Sequence, residues 1–206
     1  MRYIVKKIRE KSEIESCETF FIDQYMWNSK QEPKTYGWMG YLENEGFYVK
    51  MICEEKDPKR GWKNHKEMVC EDSAVEVFLA FTEENKILTN NSMYIKFEIN
   101  ANGAMYAQYG KGRKNRQFLS EEEYRMADIR TKMSENQWEM EVTIPETFLN
   151  KICDLEKIKS GKLFYCNFYK ISESPEIEHY MSYSRIESGT PDFHLPVYFA
   201  EAGFEK

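Results

Sequence analysis

Apolar and polar positions alternate with a period of two through much of this chain, the signature of half-buried strands. Phe47, Val49, Met51 and Cys53 alternate with Tyr48, Lys50, Ile52 and Glu54, and Asn44-Glu45-Gly46 just ahead reads as a tight turn, so the pattern predicts a hairpin over 41–54. Val75, Val77, Leu79 and Phe81 alternate with Ala74, Glu76, Phe78 and Ala80, a strand apolar on both faces apart from one carboxylate. Ile95, Phe97 and Ile99 face one way and Tyr94, Lys96, Glu98 and Asn100 the other, with Asn100-Ala101-Asn102-Gly103 turning the chain into a strand from Met105 to Tyr109. Further strands are predicted over Trp138–Ile144, where Pro145 stops the run, over Leu163–Ile171 and over His179–Ile186.

Helical signals are few. Ser120 with Glu123 makes a capping-box pattern for a helix over Ser120–Met126, and Pro145 suits the first position of a second short helix. Many short strands between turns predict an all-β fold, an antiparallel β-sandwich of jelly-roll type with a few short helices. Residues 1–206 read as a single domain, with 1–40 as an N-terminal extension that wraps the sandwich or joins it.

The tail carries unusual punctuation: Pro191-Asp192-Phe193-His194-Leu195-Pro196, then Val197-Tyr198-Phe199 and Gly203-Phe204. Each proline fixes its own φ and extends the residue before it, so Phe193 and His194 are predicted to sit in a short rigid loop, with a last edge strand following. A ring held this way is a low-entropy recognition surface.

Composition narrows the chemistry. Charged residues make up 31% of the chain and the net charge is -6, so no basic field exists to hold a phosphate backbone and nucleic acid is not an expected partner. Gly110-Lys111-Gly112-Arg113-Lys114-Asn115-Arg116 lacks the strand-to-helix context of a phosphate loop and reads as a solvated hairpin exit. The basic start has no apolar core segment and no later run approaches a membrane span, so no membrane partner and a soluble, cytoplasmic protein are expected, or an extracellular one if the chain is a piece of a longer one. Cys17, Cys53, Cys70, Cys153 and Cys166 contain no C-x-x-C pair and read as free thiols.

No G-x-S-x-G, H-E-x-x-H or phosphate loop appears, and His65, His179 and His194 lack ligand spacing, so no catalytic residue is assigned. Glu76 and Glu98 are the acids that fall inside strongly apolar strands, which points them at a pocket or into a buried ion pair, for instance with Lys96 or Arg113. The strip Tyr94, Lys96, Glu98 and Asn100, beside Glu76 and Phe78, has the residue types that hold a sugar: polar groups for its hydroxyls and a ring for its C–H face.

Six segments in order resemble family 9 carbohydrate-binding modules, in the branch of short family 9-like sugar-binding proteins. They are Glu45–Lys50 with the Glu54–Pro58 exit, Glu71-Asp72-Ser73-Ala74-Val75-Glu76-Val77-Phe78-Leu79, Phe97–Asn100 with Gly103, Trp138–Pro145, Asn167-Phe168-Tyr169-Lys170 and the Pro191–Pro196 tail. The resemblance implies a β-sandwich that clasps a sugar end between two aromatic rings. Glu76 matches the family's acidic segment, Glu98 and Asn100 the polar positions of the next strand, and Phe193 one clamp ring, with His194 beside it. Val69-Cys70 stands where the other ring is expected, so Trp62 is the candidate to reach in, and Tyr183 is a further contact. The implied partner is a mono- or oligosaccharide; no cofactor is required, and structural calcium is the metal that the family brings, with ligands the sequence does not identify. The expected function is non-catalytic carbohydrate binding, with a glycoside hydrolase or its accessory domain, or an interaction domain with a decayed sugar site, as alternatives.

Overall fold

The computed structural model describes residues 2–114 and 116–205; Met1, and Asn115 of the basic loop, lie outside them. The first five strands are β1 (Arg2–Ile8), β2 (Thr19–Phe21), β3 (Gln24–Met26), β4 (Lys34–Leu42) and β5 (Gly46–Glu54). Next come β6 (Ala74–Phe81), β7 (Met93–Asn100), β8 (Met105–Lys111), β9 (Gln117–Phe118), β10 (Arg130–Met133) and β11 (Trp138–Pro145). The last are β12 (Phe164–Ser172), β13 (His179–Ser182) and β14 (Ala200–Phe204). Three short α-helices, α1 (Glu121–Met126), α2 (Glu146–Ile152) and α3 (Leu155–Lys159), and three 3-10 turns, at Lys11–Ser16, Val69–Glu71 and Pro196–Tyr198, are the helical elements among the described residues.

The strands form one curled sheet, in the order β10-β11-β5-β4-β1-β14-β12-β6-β7-β8-β9, that folds back on itself into two layers. The hinge is β1: Arg2–Val5 pair with β14 and Lys6–Ile8 with β4, both in parallel. The other pairings are antiparallel, so the sheet is mixed rather than wholly antiparallel as expected. A parallel neighbour needs a crossover and leaves no hairpin turn in the sequence, so local turn signals cannot show it. Within the first forty residues, β1 lies in mid-sheet between β4 and β14. The tail strand departs from expectation too: β14 sits between β1 and β12 rather than at an edge.

The period-two pattern builds the interior. Phe47, Val49, Met51 and Val142 from one layer meet Val75, Val77, Leu79, Phe97, Ile99 and Phe168 from the other, all fully buried. Phe20 lies flat on Phe168, with centroids 3.7 Å apart. The β4–β5 turn requires Gly46, whose φ is +127° and where an added Cβ would stand 2.1 Å from the Ile144 carbonyl oxygen. The Ser120–Glu123 capping box is formed in full at α1. Pro145 sits at the N-cap of α2, one position before the expected one.

A buried ionic network sits inside. The fully buried Lys170 ammonium donates to Ser73 Oγ at 2.6 Å, lies 2.8 Å from His179 Nε2 and 3.5 Å from Glu55 Oε2, and the Trp138 indole donates to the same Glu55 oxygen at 3.1 Å. Burial alone would raise the Glu55 carboxyl, but Lys170, Ser73 and Trp138 hold it below its usual range. Burial and the Lys170 charge keep His179 neutral, down to about 3.

The outer face of the second layer is the one that positions the site. Ala74, Phe78, Ala80, Tyr94, Tyr169 and Ile171 point outward there and would be exposed, but the segment after β13 covers them with Ile186, Phe193 and Phe199. Asn167 ties this cover down, donating from Nδ2 to the Ser184 carbonyl and accepting from the Ser184 amide, both at 2.9 Å. Among the described residues no helix is long and apolar enough to cross a membrane.

Candidate functional site

Where the cover stops short of the sheet end, a cavity of about 280 Å³ remains. This is at the small end of ligand pockets, which run to about 300–1,000 Å³. Its floor is the outward face of β6 and β7: Glu76, Lys96 and Glu98, with Tyr106 from β8. Its walls are Trp27, Met68, Cys70, Ile171, Glu173, Tyr180 and the stretch Pro191–His194.

Strand register explains the floor. Glu76 and Glu98 are direct cross-strand partners, which puts their Cβ atoms about 4.5–5.5 Å apart and makes them like-charged neighbours. Lys96, two residues from Glu98 on the same face, pairs with Glu98 and lies 4.6 Å from the centre of the Tyr106 ring. That cation serves one acid. Glu76 is 2% exposed, and its Oε2 is buried without a hydrogen-bond partner. Burial first, and the Glu98 charge second, push its pKa well above the usual carboxylate range despite Lys96 nearby.

The tail wall is braced from several sides. The Phe193 ring stacks on Tyr169 at 4.1 Å and 15°, and its carbonyl accepts from the Tyr169 hydroxyl at 3.4 Å. Asp192 accepts from the His194 amide at 2.9 Å and pairs with Arg113 at 2.6 Å, linking the basic loop to the tail. His194 Nδ1 lies 2.8 Å from the Tyr94 hydroxyl. Burial, with the charges of Lys96, Arg113 and Arg116, holds that imidazole far below its usual range, so it is neutral. The Arg116 guanidinium lies 3.7 Å above the Tyr94 ring and donates to four backbone carbonyls, a structural role in place of a phosphate contact.

Trp27 joins the same wall. It sits at φ +51° and Asn28 at +57°, left-handed geometry that is rare for a bulky side chain and costs about 1–3 kcal/mol. Its indole donates to the Ser188 carbonyl at 2.8 Å, and its ring lies 5.6 Å from Phe193 and 5.7 Å from Tyr180. Three rings thus meet along one side of the cleft, half-buried Trp27 presenting more surface than Phe193.

Of the residues expected from sequence, Glu76, Glu98, Phe193 and His194 line this cleft together. Phe193 is only 6% exposed, with one face used against Tyr169, so it is not the open platform expected of it. Asn100 is fully buried below the cleft: its Nδ2 donates to the Trp62 carbonyl and Asp72, and its Oδ1 accepts from the amides of Asn102 and Ala104. Its hydrogen-bonding capacity is spent on that turn and loop. Trp62 does not line the cleft, since Asp72 holds the backbone of its loop through the Gly61 and Trp62 amides. Tyr183 lies in the interior against Tyr3, Phe20 and Phe168, on the wrong side of the sheet for a contact.

Strand parity carries the signal that corrects Tyr183. Residues 180 and 182 share one face and 181 and 183 the other, and Tyr180, opposite Ile171 in register, is the cleft residue. Trp27 had no such signal, because its place depends on β3 pairing with β13 across about 150 residues of chain. As for the implied calcium, among the described residues no group of three or more His, Cys, Asp or Glu side chains converges to hold a metal.

A sandwich whose outer face carries an aromatic-walled, carboxylate-floored cleft defines a small-ligand binding module. The family model of Carbohydrate-binding family 9 matches residues 8–204, and the chain belongs to that family. No curated protein matches the chain. Among solved structures, the chain is similar to a proposed carbohydrate-binding protein from Bacteroides uniformis ATCC 8492, at TM-score 0.80 and 22% identity over 99% of both chains. It is also similar to a family 9 module from Caldicellulosiruptor kristjanssonii solved with glucose, at TM-score 0.65 and 13% identity, covering 100% of this chain and 96% of that one. A family 9 module from the same organism solved with cellotriose gives a TM-score of 0.63 at 12% identity, over 100% of this chain and 92% of that one.

Proposed function

We propose that the protein binds a mono- or oligosaccharide without cleaving it, in the cleft beside Trp27 and the Pro191–His194 stretch. The observation that carries this reading is an aromatic wall next to a polar floor: Trp27, Tyr180 and Phe193 stand beside Glu76, Lys96 and Glu98. Rings meet the C–H face of a sugar, and a mixed floor of acid, carboxylate and ammonium donates to and accepts from its hydroxyls. Family membership supports the same reading. In it the fold is a jelly-roll sandwich, with Trp27 in the role that Trp62 was expected to fill.

Hydrolysis is less well supported by the geometry. Glu76 and Glu98 are register partners on one floor, so they approach a ligand from the same side, whereas a glycosidase flanks the scissile bond with its two carboxyls. Titration calorimetry against a panel of mono- and oligosaccharides tests the proposal: a saturable heat with at least one sugar is expected, and none from a folded sample would sink it.

A further inference from the structure

The cleft holds more acid than its cations neutralise. Four carboxyl groups line it, those of Glu76, Glu98, Glu173 and Asp192, against two cations, Lys96 and Arg113. Lys96 is bound to Glu98 and Arg113 to Asp192. Among the described residues no cation pairs with Glu76 or Glu173. Glu173 stands at the wall, its carboxylate 3.6 Å from Cys70 Sγ. Glu76 is only 2% exposed, lines the cavity and has a buried oxygen with no hydrogen-bond partner. The free wall beside them is aromatic, formed by Trp27, Tyr180 and Phe193.

Unneutralised carboxyls beside ring faces are the chemistry that recognises an organic cation, through ion pairing on one side and the ring quadrupole on the other. A neutral hexose gives the Glu76 oxygen a hydroxyl and leaves the charge surplus in place. We infer that the preferred ligand is an amino sugar, its protonated amine held at the Glu76–Glu98 floor with Glu173 at the rim and its ring against the aromatic wall. This rests on the sugar-binding reading above and goes further in naming the class of sugar.

Charge balance gives the inference a second readout. The groups facing Glu76 are Lys96 and Glu98 from β7, Tyr106 from β8, Tyr169 from β12, and Cys70, Glu173 and His194 from the surrounding segments. In the empty cleft burial and Glu98 raise the Glu76 pKa well above the usual carboxylate range. Arrival of an ammonium supplies a counter-charge that lowers it, so a proton held on Glu76 passes to the buffer as the carboxylate pairs with the amine.

The test is calorimetry of the full chain with three matched pairs: glucose and glucosamine, galactose and galactosamine, mannose and mannosamine, plus the N-acetylated amines. At a pH where the amines are charged, one amine is expected to bind at least tenfold more tightly than its hexose, and its N-acetyl form to lose that gain. Its binding heat should change between buffers of different ionisation heat, reporting net proton release. Glu76→Gln, close in shape and free of the charge, should remove the amine preference. Hexose binding equal to or tighter than the amine, or an N-acetyl form that matches it, overturns the inference while leaving sugar binding intact. Silence with every sugar overturns both.

Discussion

The Phe193 ring lies almost parallel to Tyr169, centroids 4.1 Å apart, so the proline-bracketed tail is bolted to the outer sheet face rather than presented to solvent. The Tyr169 hydroxyl reinforces the stack by donating to the Phe193 carbonyl. Recognition surface and packing are one object here: Phe193 can shape the cleft only because Tyr169 holds it. Phe193→Ala should therefore cost about 3–5 kcal/mol of stability, as expected for a buried aromatic, together with sugar affinity. Chemical denaturation and calorimetry on the same sample check both losses.

Trp27 should behave differently. Its ring is half-buried and borders the cavity, so Trp27→Ala is expected to weaken saccharide binding by about tenfold, near 1.4 kcal/mol, with a smaller stability loss than Phe193→Ala. Calorimetry and a thermal melt on both variants separate these effects. An unchanged affinity would mean that this wall is not part of the site.

Asn100 is expected to matter for folding first. Asn100→Ala removes the donor that Asp72 and the Trp62 carbonyl share and leaves the Asn102 and Ala104 amides without their acceptor, at a cost of about 1–3 kcal/mol. Measured by urea unfolding, that loss should exceed any loss of sugar affinity below the unfolding transition.

Stability should bend with pH in a way that Glu76 controls. His179 and His194 stay neutral in the folded state while the unfolded chain takes up protons near 6.5, so they make stability fall as pH drops below that value. Glu76 acts in the opposite sense: its pKa is raised from 4.5, the folded state holds the extra proton, and stability falls as pH rises from 4.5 toward the raised value. Glu76→Gln should steepen the rise of stability with pH above 4.5, because the opposing loss that Glu76 contributes is gone. Unfolding free energies of both proteins at a series of pH values test this.

The interior network gives a fold-level prediction. Lys170→Ala leaves Glu55 buried without its cation, and loss of about 3–5 kcal/mol follows. Pairing Lys170→Met with Glu55→Gln should recover much of it in a denaturation experiment, because the stranded charge is gone.

Much of the sheet was legible because a strand with one face on the core writes a period of two. The runs around Phe47–Cys53, Val75–Phe81 and Ile95–Ile99 became β5, β6 and β7 with the predicted faces inward. The floor followed from the same rule, since Glu76 and Glu98 are acids at outward positions of apolar strands. What stayed hidden depends on pairings remote in sequence. Parallel β1 needs no local turn, and Trp27 reaches the cleft only through β3 docking on β13. Asn100 misled for a physical reason: a polar residue at a strand end serves a turn as readily as a ligand, and its neighbours decide which. The misplacement of Tyr183 was avoidable, given the parity of β13.

The central claim is that a sugar sits against the Trp27–Phe193 wall, beside the Glu76–Glu98 floor. A crystal structure of the protein with the tightest-binding saccharide of the panel tests it most directly. The account predicts the sugar ring in that cleft, against Trp27 and with a polar atom within hydrogen-bond distance of a floor side chain. A sugar seated on another surface, with this cleft empty, would contradict it.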